Sequence, residues 1–329
     1  MLEHGGRLRQ AAAQYGIPLA DWLDLSTGLA PYAWPLQPVP AEVWQRLPEE
    51  QDGLEEAARA YYGADSILAV AGSQAAIQAL PSLFAGKRVG IVEPCYAEHR
   101  HAWEAAGFVP ESLGSEDVEA GLAHIDVLVV INPNNPTGRR FTVDQLLGWH
   151  SHLASRGGCL IVDEAFVDPT PEDSLAAHSH LPGLVVLRSL GKFFGLGGAR
   201  LGFVLAAEPV CQALAERLGP WAVSGPTRYV GRLALADWKT QQDWRDRLAA
   251  DGWRLAELLA SRSLAPSGGC ALFQWVQDAQ SISIYESFAR QGILTRLFAE
   301  QSALRIGLPA DESGWKRLSL ALQPVREFR

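Results

Sequence analysis

The chain has 329 residues, a formal net charge of −9 and 48% hydrophobic residues. That length holds two domains or one large α/β unit, and the acidic balance, with no basic run, excludes a phosphate-neutralising nucleic-acid surface. The four cysteines, Cys95, Cys159, Cys211 and Cys270, are scattered without a CxxC pair, which argues against a metal site or disulfide framework and for a reducing, cytoplasmic compartment. The opening residues 1–6 lack the basic and apolar regions of a signal peptide, and no apolar run reaches bilayer length.

Residues 31–48 are proline-rich and read as an extended connection. The pattern then predicts a helix over 54–62 closed by Gly63, a strand over 67–70, and a helix over 73–84 entered through Gly72. A strand over 88–92 follows, then a loop with Cys95 and Tyr96, and a helix over 98–106. The continuous apolar run 126–131 predicts a strand buried on both faces. An amphipathic helix over 143–155 and buried strands over 159–162, 184–187 and 201–205 complete the rhythm. This alternation predicts an α/β fold with a mostly parallel central sheet covered by helices on both sides. After about Thr227 the pattern changes to a long helical stretch reaching 261, a strand over 270–276, a helix over 281–291, short strands around Ile293 and Leu304, and a terminal helix. The expected division is a large domain over 46–230 and a smaller α+β domain built from both chain ends, 1–45 and 231–329.

In parallel-sheet folds, ligands sit at the carboxyl ends of strands, and four groups fall just past predicted strands. Lys192 lies in a glycine-rich loop after the run 184–187, with Ser189 before it and Arg200 after it. A lysine so placed can join an aldehyde as an imine while the hydroxyl and the guanidinium hold a phosphate. Gly72, Ser73 and Gln74 turn into a helix N-terminus that suits a phosphate, or Ser73 simply caps that helix. In the string 132–138 two prolines stiffen a loop carrying Asn135, whose amide can bond a phenolate oxygen; otherwise the string is a plain turn. Asp163, after the strand 159–162, can hold a protonated pyridine nitrogen, or else pairs with an arginine or caps a helix. Taken together the four supply an imine lysine, a phosphate cradle, a ring-oxygen donor and a partner for a cationic heterocycle, which is the set that pyridoxal 5'-phosphate (PLP) requires.

The strings Asn135-Pro136-Thr137-Gly138, Asp163-Glu164-Ala165-Phe166 and Ser189…Lys192…Arg200 resemble fold-type I PLP enzymes of the aminotransferase superfamily. Within it the chain is similar to the histidinol-phosphate aminotransferases. It is closer still to the threonine-phosphate decarboxylases of cobalamin biosynthesis, through His4-Gly5-Gly6-Arg7, Leu23 to Gly28, Arg188 to Phe193, and Pro220 to Ser224. The resemblance implies a three-layer PLP-transferase fold and a homodimer. It also implies Tyr96 stacked on the cofactor ring, Arg305 on the substrate α-carboxylate, and Arg296 with His4 on a substrate phosphate. Gly28 joins the substrate-binding set through its string. The reaction implied is decarboxylation of O-phospho-L-threonine to (R)-1-amino-2-propanol phosphate, with aminotransfer on histidinol phosphate or a similar phosphorylated amine as the alternative. A non-catalytic relative is a further class, against which Lys192 and Asp163 both stand. Three positions depart from the family pattern. Leu47 replaces a tyrosine that reaches the partner subunit's cofactor phosphate, Phe166 stands where many aminotransferases have tyrosine, and Gly72-Ser73-Gln74 replaces an acidic phosphate loop.

Overall fold

The structure is a computed structural model that describes residues 4–323; Met1 to Glu3 of the opening string lie outside the described residues. The chain divides into two compact units, one of Met1–Ala33, Pro136–Arg139 and Trp244–Arg329, the other of Trp34–Asn135 and Arg140–Asp243. Against the boundaries expected from sequence, residues 34–45 and 231–243 fall in the second unit, and 136–139 fall in the first.

The first unit opens with helix α1 (Leu8–Tyr15) and strand β1 (Leu23–Asp24). The second unit begins with α2 (Ala41–Gln45) and α3 (Leu54–Tyr62), then β2 (Ile67–Val70), α4 (Ser73–Ala79), β3 (Val89–Val92), α5 (Glu98–Ala105), β4 (Glu111–Leu113), α6 (Val118–Gly121) and β5 (Val127–Ile131). It continues with α7 (Val143–Ala154), β6 (Cys159–Asp163), β7 (Leu184–Ser189), β8 (Gly202–Ala206), α8 (Glu208–Leu218) and α9 (Gly225–Ala236). Its seven strands form one sheet in the order β2-β8-β7-β6-β5-β3-β4. β4, β3, β5, β6 and β7 run parallel, and β8 is antiparallel to both of its neighbours. Every residue of β5, β6, β7 and β8 is buried, as a sheet covered on both faces requires.

Side chains alternate between the two faces. Val127, Val129, Cys159, Ile161, Val185, Leu187 and Val204 share one face with Ala76 and Ile77 of α4 and Trp103 of α5. Continuing the same alternation puts Asp163 and Ser189 on that face, and Glu164 and Arg188 on the other.

Some predicted bounds shift for physical reasons. The helix expected to reach 84 ends at Ala79 and tightens into a 3₁₀ turn over Leu80–Leu83, where Pro81 cannot supply a helical N–H. The strand expected over 184–187 runs on to Ser189. α8 and the edge strand β4, whose first two residues are exposed, were not read from the sequence.

The remainder of the first unit contains α10 (Trp238–Ala260), which spans the division, and β9 (Gly268–Cys270), β10 (Phe273–Gln277), α11 (Ser281–Arg290), β11 (Ile293–Leu294), β12 (Arg296–Phe298), β13 (Ala303–Gly307) and α12 (Glu312–Ala321). The single strand expected over 270–276 is a hairpin, with Cys270 paired to Phe273. An antiparallel sheet runs β12-β13-β10-β9, while β1 pairs parallel with β11. Ala11, Trp22, Ala289 and Leu294 form a local core that joins α1 to α11 and β11. Among the described residues no helix is long and apolar enough to cross a membrane.

Candidate functional site

In the second unit, β7 delivers Ser189 and then Lys192. The loop is pinned immediately after the lysine: Phe193 and Phe194 are fully buried, pack edge-on against each other and meet Trp34 at a tilt. Aromatic anchoring of this kind fixes a short loop far better than glycine alone. Lys192 Nζ stands 5.3 Å over the centre of the Phe166 ring. Phe166 therefore offers its face to the amine where a tyrosine would have offered a hydroxyl.

Sheet register builds the phosphate cradle. Ser189 pairs with Gly202, and Gly202 with Val70, so the ends of β7, β8 and β2 lie side by side. A Cβ on Gly202 would come 2.4 Å from Ser73 N. A Cβ on Gly72 (φ +74°) would come 2.6 Å from Arg200 Nη2. Arg200 itself adopts a left-handed backbone conformation (φ 56°), uncommon for a side chain of its size, and donates from Nη1 to Gly197 O at 3.3 Å. The register thus brings Gly72, Ser73, Ser189 and Arg200 together, and the two glycines allow this close approach, which a Cβ at either position would block. Gln74 is committed elsewhere: its amide donates to Glu98 at 2.7 Å and accepts from the Tyr96 hydroxyl at 3.3 Å.

Asp163 ends β6 and is buried. Its Oδ1 accepts the Ala165 N–H at 3.0 Å, and its Oδ2 lies 2.9 Å from His99 Nε2. His99 is buried on α5 and meets the Tyr96 ring edge-on at 6.3 Å. The sequence reading did not single out His99, which follows Tyr96 by three residues and donates its backbone N–H to Tyr96 O at 3.0 Å as the chain turns into α5. Beside them, burial pushes the Cys95 thiol up to about 12, with the Glu93 and Asp163 charges adding to the effect. That thiol is not a nucleophile at neutral pH. After β5, the buried Asn132 clamps the loop by donating to Phe141 O at 3.1 Å and accepting the Phe141 N–H at 2.9 Å. Asn135, three residues on, is half-buried.

In the first unit, Arg296 of β12 and Arg305 of β13 stand directly opposite each other across the antiparallel ladder. The Arg296 guanidinium lies 5.2 Å over the Phe298 ring. Arg305 is buried, donates from Nη2 to Ser26 O at 2.7 Å and lies 5.3 Å over the Phe273 ring. A cavity of about 300 Å³ is lined by His4, Arg7, Ser26, Tyr285, Thr295 and Arg296, among others. Thr295 is 2% exposed and its hydroxyl has no hydrogen-bond partner. Arg7 is the N-cap residue of α1. The cavity brings His4 and Arg296 together and adds Arg7 and Thr295, neither of which was read from sequence. Gly28 takes a positive φ of 63° in the same unit, and a Cβ on Gly307 would lie 3.6 Å from its N.

A family model, aminotransferase class I and II, matches residues 45–319. The chain is 57% identical over 327 residues to a threonine-phosphate decarboxylase of Pseudomonas aeruginosa, covering 99% of both chains. It is 42% identical to a threonine-phosphate decarboxylase of a Sinorhizobium species, covering 97% of each. In fold it is similar to a histidinol-phosphate aminotransferase from Sinorhizobium meliloti solved in complex with pyridoxal-5'-phosphate. That match has a TM-score of 0.84 at 20% identity, over 100% of this chain and 99% of the other.

Proposed function

We propose that this chain, which belongs to the class I and II aminotransferase family, is a PLP-dependent lyase. It removes the α-carboxylate of O-phospho-L-threonine and releases (R)-1-amino-2-propanol phosphate, as a cytoplasmic step of cobalamin biosynthesis. The observation that carries the substrate is the opposed pair Arg296 and Arg305. Two arginines at opposed positions of one ladder suit a molecule with two anionic groups, a carboxylate and a phosphate. Full-length similarity to threonine-phosphate decarboxylases supports the same choice.

The residues fit the cofactor. Gly72 and Gly202 let the Arg200 guanidinium and the Ser73 N–H draw close to the ends of β2 and β8, an approach that a Cβ would block. There Ser189, Arg200 and the Ser73 backbone would hold the phosphate, with Asn135 on the ring oxygen, Tyr96 on the ring face, Asp163 on the pyridine nitrogen and Lys192 on the aldehyde carbon. When bound, PLP supplies an electron sink for the pair left as carbon dioxide departs. The chain's own residues do the rest. His99, 2.9 Å from Asp163, holds that carboxylate in place. Arg305 takes the substrate carboxylate and sets the direction of the bond that breaks; such orientation contributes several kcal/mol to lowering a barrier. Arg296, His4, Arg7 and Thr295 take the substrate phosphate. Lys192 Nζ delivers a proton to the α-carbon in place of the lost carboxylate. We further propose a homodimer, by analogy of fold; the exposed Trp44, Leu47 and Trp221 are apolar surface that a second copy would cover.

Two assays on the purified, PLP-loaded protein test this reading. O-phospho-L-threonine is expected to release carbon dioxide without a keto-acid acceptor. Transfer of the amine of histidinol phosphate to 2-oxoglutarate, with no gas from phosphothreonine, would instead establish the aminotransferase.

A further inference from the structure

The ends of β6 and β7 carry a second layer of charge that the reaction above does not use. Glu164 follows Asp163, and Arg188 precedes Ser189, so strand alternation turns both away from the face that bears Asp163 and Ser189. There they meet. Arg188 Nη1 donates to Glu164 Oε2 at 3.0 Å and to Ser174 Oγ at 2.9 Å, and Nη2 donates to Asp168 Oδ1. Ser174 Oγ donates to the same Glu164 oxygen, and the Leu175 N–H donates to the other at 2.7 Å. The Tyr61 hydroxyl of α3 donates to Asp168 Oδ1 at 3.0 Å, and the guanidinium lies 4.5 Å over the Tyr62 ring. Arg188, Glu164 and Asp168 are 2%, 0% and 0% exposed. Burial alone would weaken the guanidinium's hold on its proton, but Asp168 and Glu164 more than offset this and keep it charged.

Three segments converge on Arg188: the end of β7, the end of β6 with the loop that carries Phe166, and α3. Charges this deep hold their geometry strictly, because any displacement leaves a buried carboxylate without its partner. The same loop presents Phe166 to Lys192 Nζ on the opposite side.

We propose that Arg188 is a positioning residue: through Glu164, Ser174 and Asp168 it fixes the placement of Asp163 relative to Lys192, and so the cofactor between them. The inference rests on the PLP reading of the site. Its test compares the full-length wild type with Arg188→Met, Arg188→Lys and Ser174→Ala, well below their melting temperatures. The readouts are equilibrium affinity for PLP from the bound cofactor's absorbance, kcat and KM for phosphothreonine, and thermal stability. Arg188→Met is expected to weaken PLP affinity and lower kcat about 10- to 100-fold each, the range seen when an orienting partner behind a ligand is removed, with KM little changed. Arg188→Lys, which keeps the charge but loses the fork, recovers part of both. A folded Arg188→Met protein with wild-type kcat and PLP affinity, altered only in melting temperature, overturns the proposal. Should Arg188→Met not fold, Ser174→Ala decides. It keeps every charge, and weaker PLP affinity with lower kcat supports the positioning role, whereas wild-type values for both overturn it. A wild type that binds no PLP would sink the underlying reading instead, a result distinct from either.

Discussion

The carboxyl ends of β6 and β7 and the ladder of β12 and β13 are both charged and both buried, yet they are built in opposite ways. At β6 and β7 each charge has its partner within the fold: Asp163 has His99, and Arg188 has Glu164 and Asp168. At β12 and β13 two arginines face each other, and Thr295 beside them keeps a buried hydroxyl without a hydrogen bond. Buried charges paired with one another make a rigid platform, even though Asp168 Oδ2 and Arg188 Nε in it have no hydrogen bond. Arginines on one ladder beside an unbonded hydroxyl suit the capture of an anionic ligand. On the proposed reading the contrast separates a chemical centre in the second unit from specificity elements in the first.

The largest expected effect breaks the platform. Lys192→Ala removes the amine that moves the proton, and kcat is expected to fall by about 10² to 10⁴-fold or more, measured as carbon dioxide release under PLP saturation. Substitutions in the first unit act on recognition instead. Arg296→Gln and Arg305→Gln each remove hydrogen bonds to an anion, worth about 1.5–3 kcal/mol, so kcat/KM for phosphothreonine is expected to drop about 10- to 100-fold while PLP affinity stays at the wild-type value.

Smaller effects sharpen the picture of the platform. Gly72→Ala places a Cβ at positive φ and against Arg200 Nη2. The strain is about 1–3 kcal/mol, and PLP affinity is expected to weaken about fivefold or more as the guanidinium is displaced. The last prediction concerns pH. Burial pushes the Cys159 thiol up to about 12 from an ordinary value of 9.0. Below pH 9 the folded and unfolded chains both keep this proton. Between pH 9 and about 12 only the unfolded chain gives it up, so stability falls as pH rises, by at most about 1.4 kcal/mol per pH unit for this group. Cys159→Ala is expected to flatten that slope in chemical denaturation across the alkaline range.

The same contrast explains what was legible in the sequence. β5, β6 and β7 are buried on both faces, so they appear as unbroken apolar runs, and the chemistry-bearing residues follow them in short contiguous strings. Asp163, Ser189, Lys192 and Arg200 could therefore be picked out one after another. The first unit assembles its groups from the two ends of the chain: Arg305 reaches Ser26 O across 279 residues of sequence, and His4 shares a cavity with Arg296. No local pattern reports such a meeting: Arg7 stood only within the string His4-Gly5-Gly6-Arg7, and Thr295, between two short strands, was not singled out. The hairpin of β9 and β10 read as one strand because its turn, Ala271 and Leu272, contains no turn-forming residue. His99 and the Arg188 network went unread for another reason, since burial and pairing are properties of the fold rather than of residue type.

The central claim is that Lys192 carries PLP opposite Asp163. Borohydride reduction of the PLP-loaded protein, followed by peptide mapping, tests it most directly: the account predicts a single reduced phosphopyridoxyl group on Lys192, and a protein that acquires the label on a different lysine, or not at all, would contradict it.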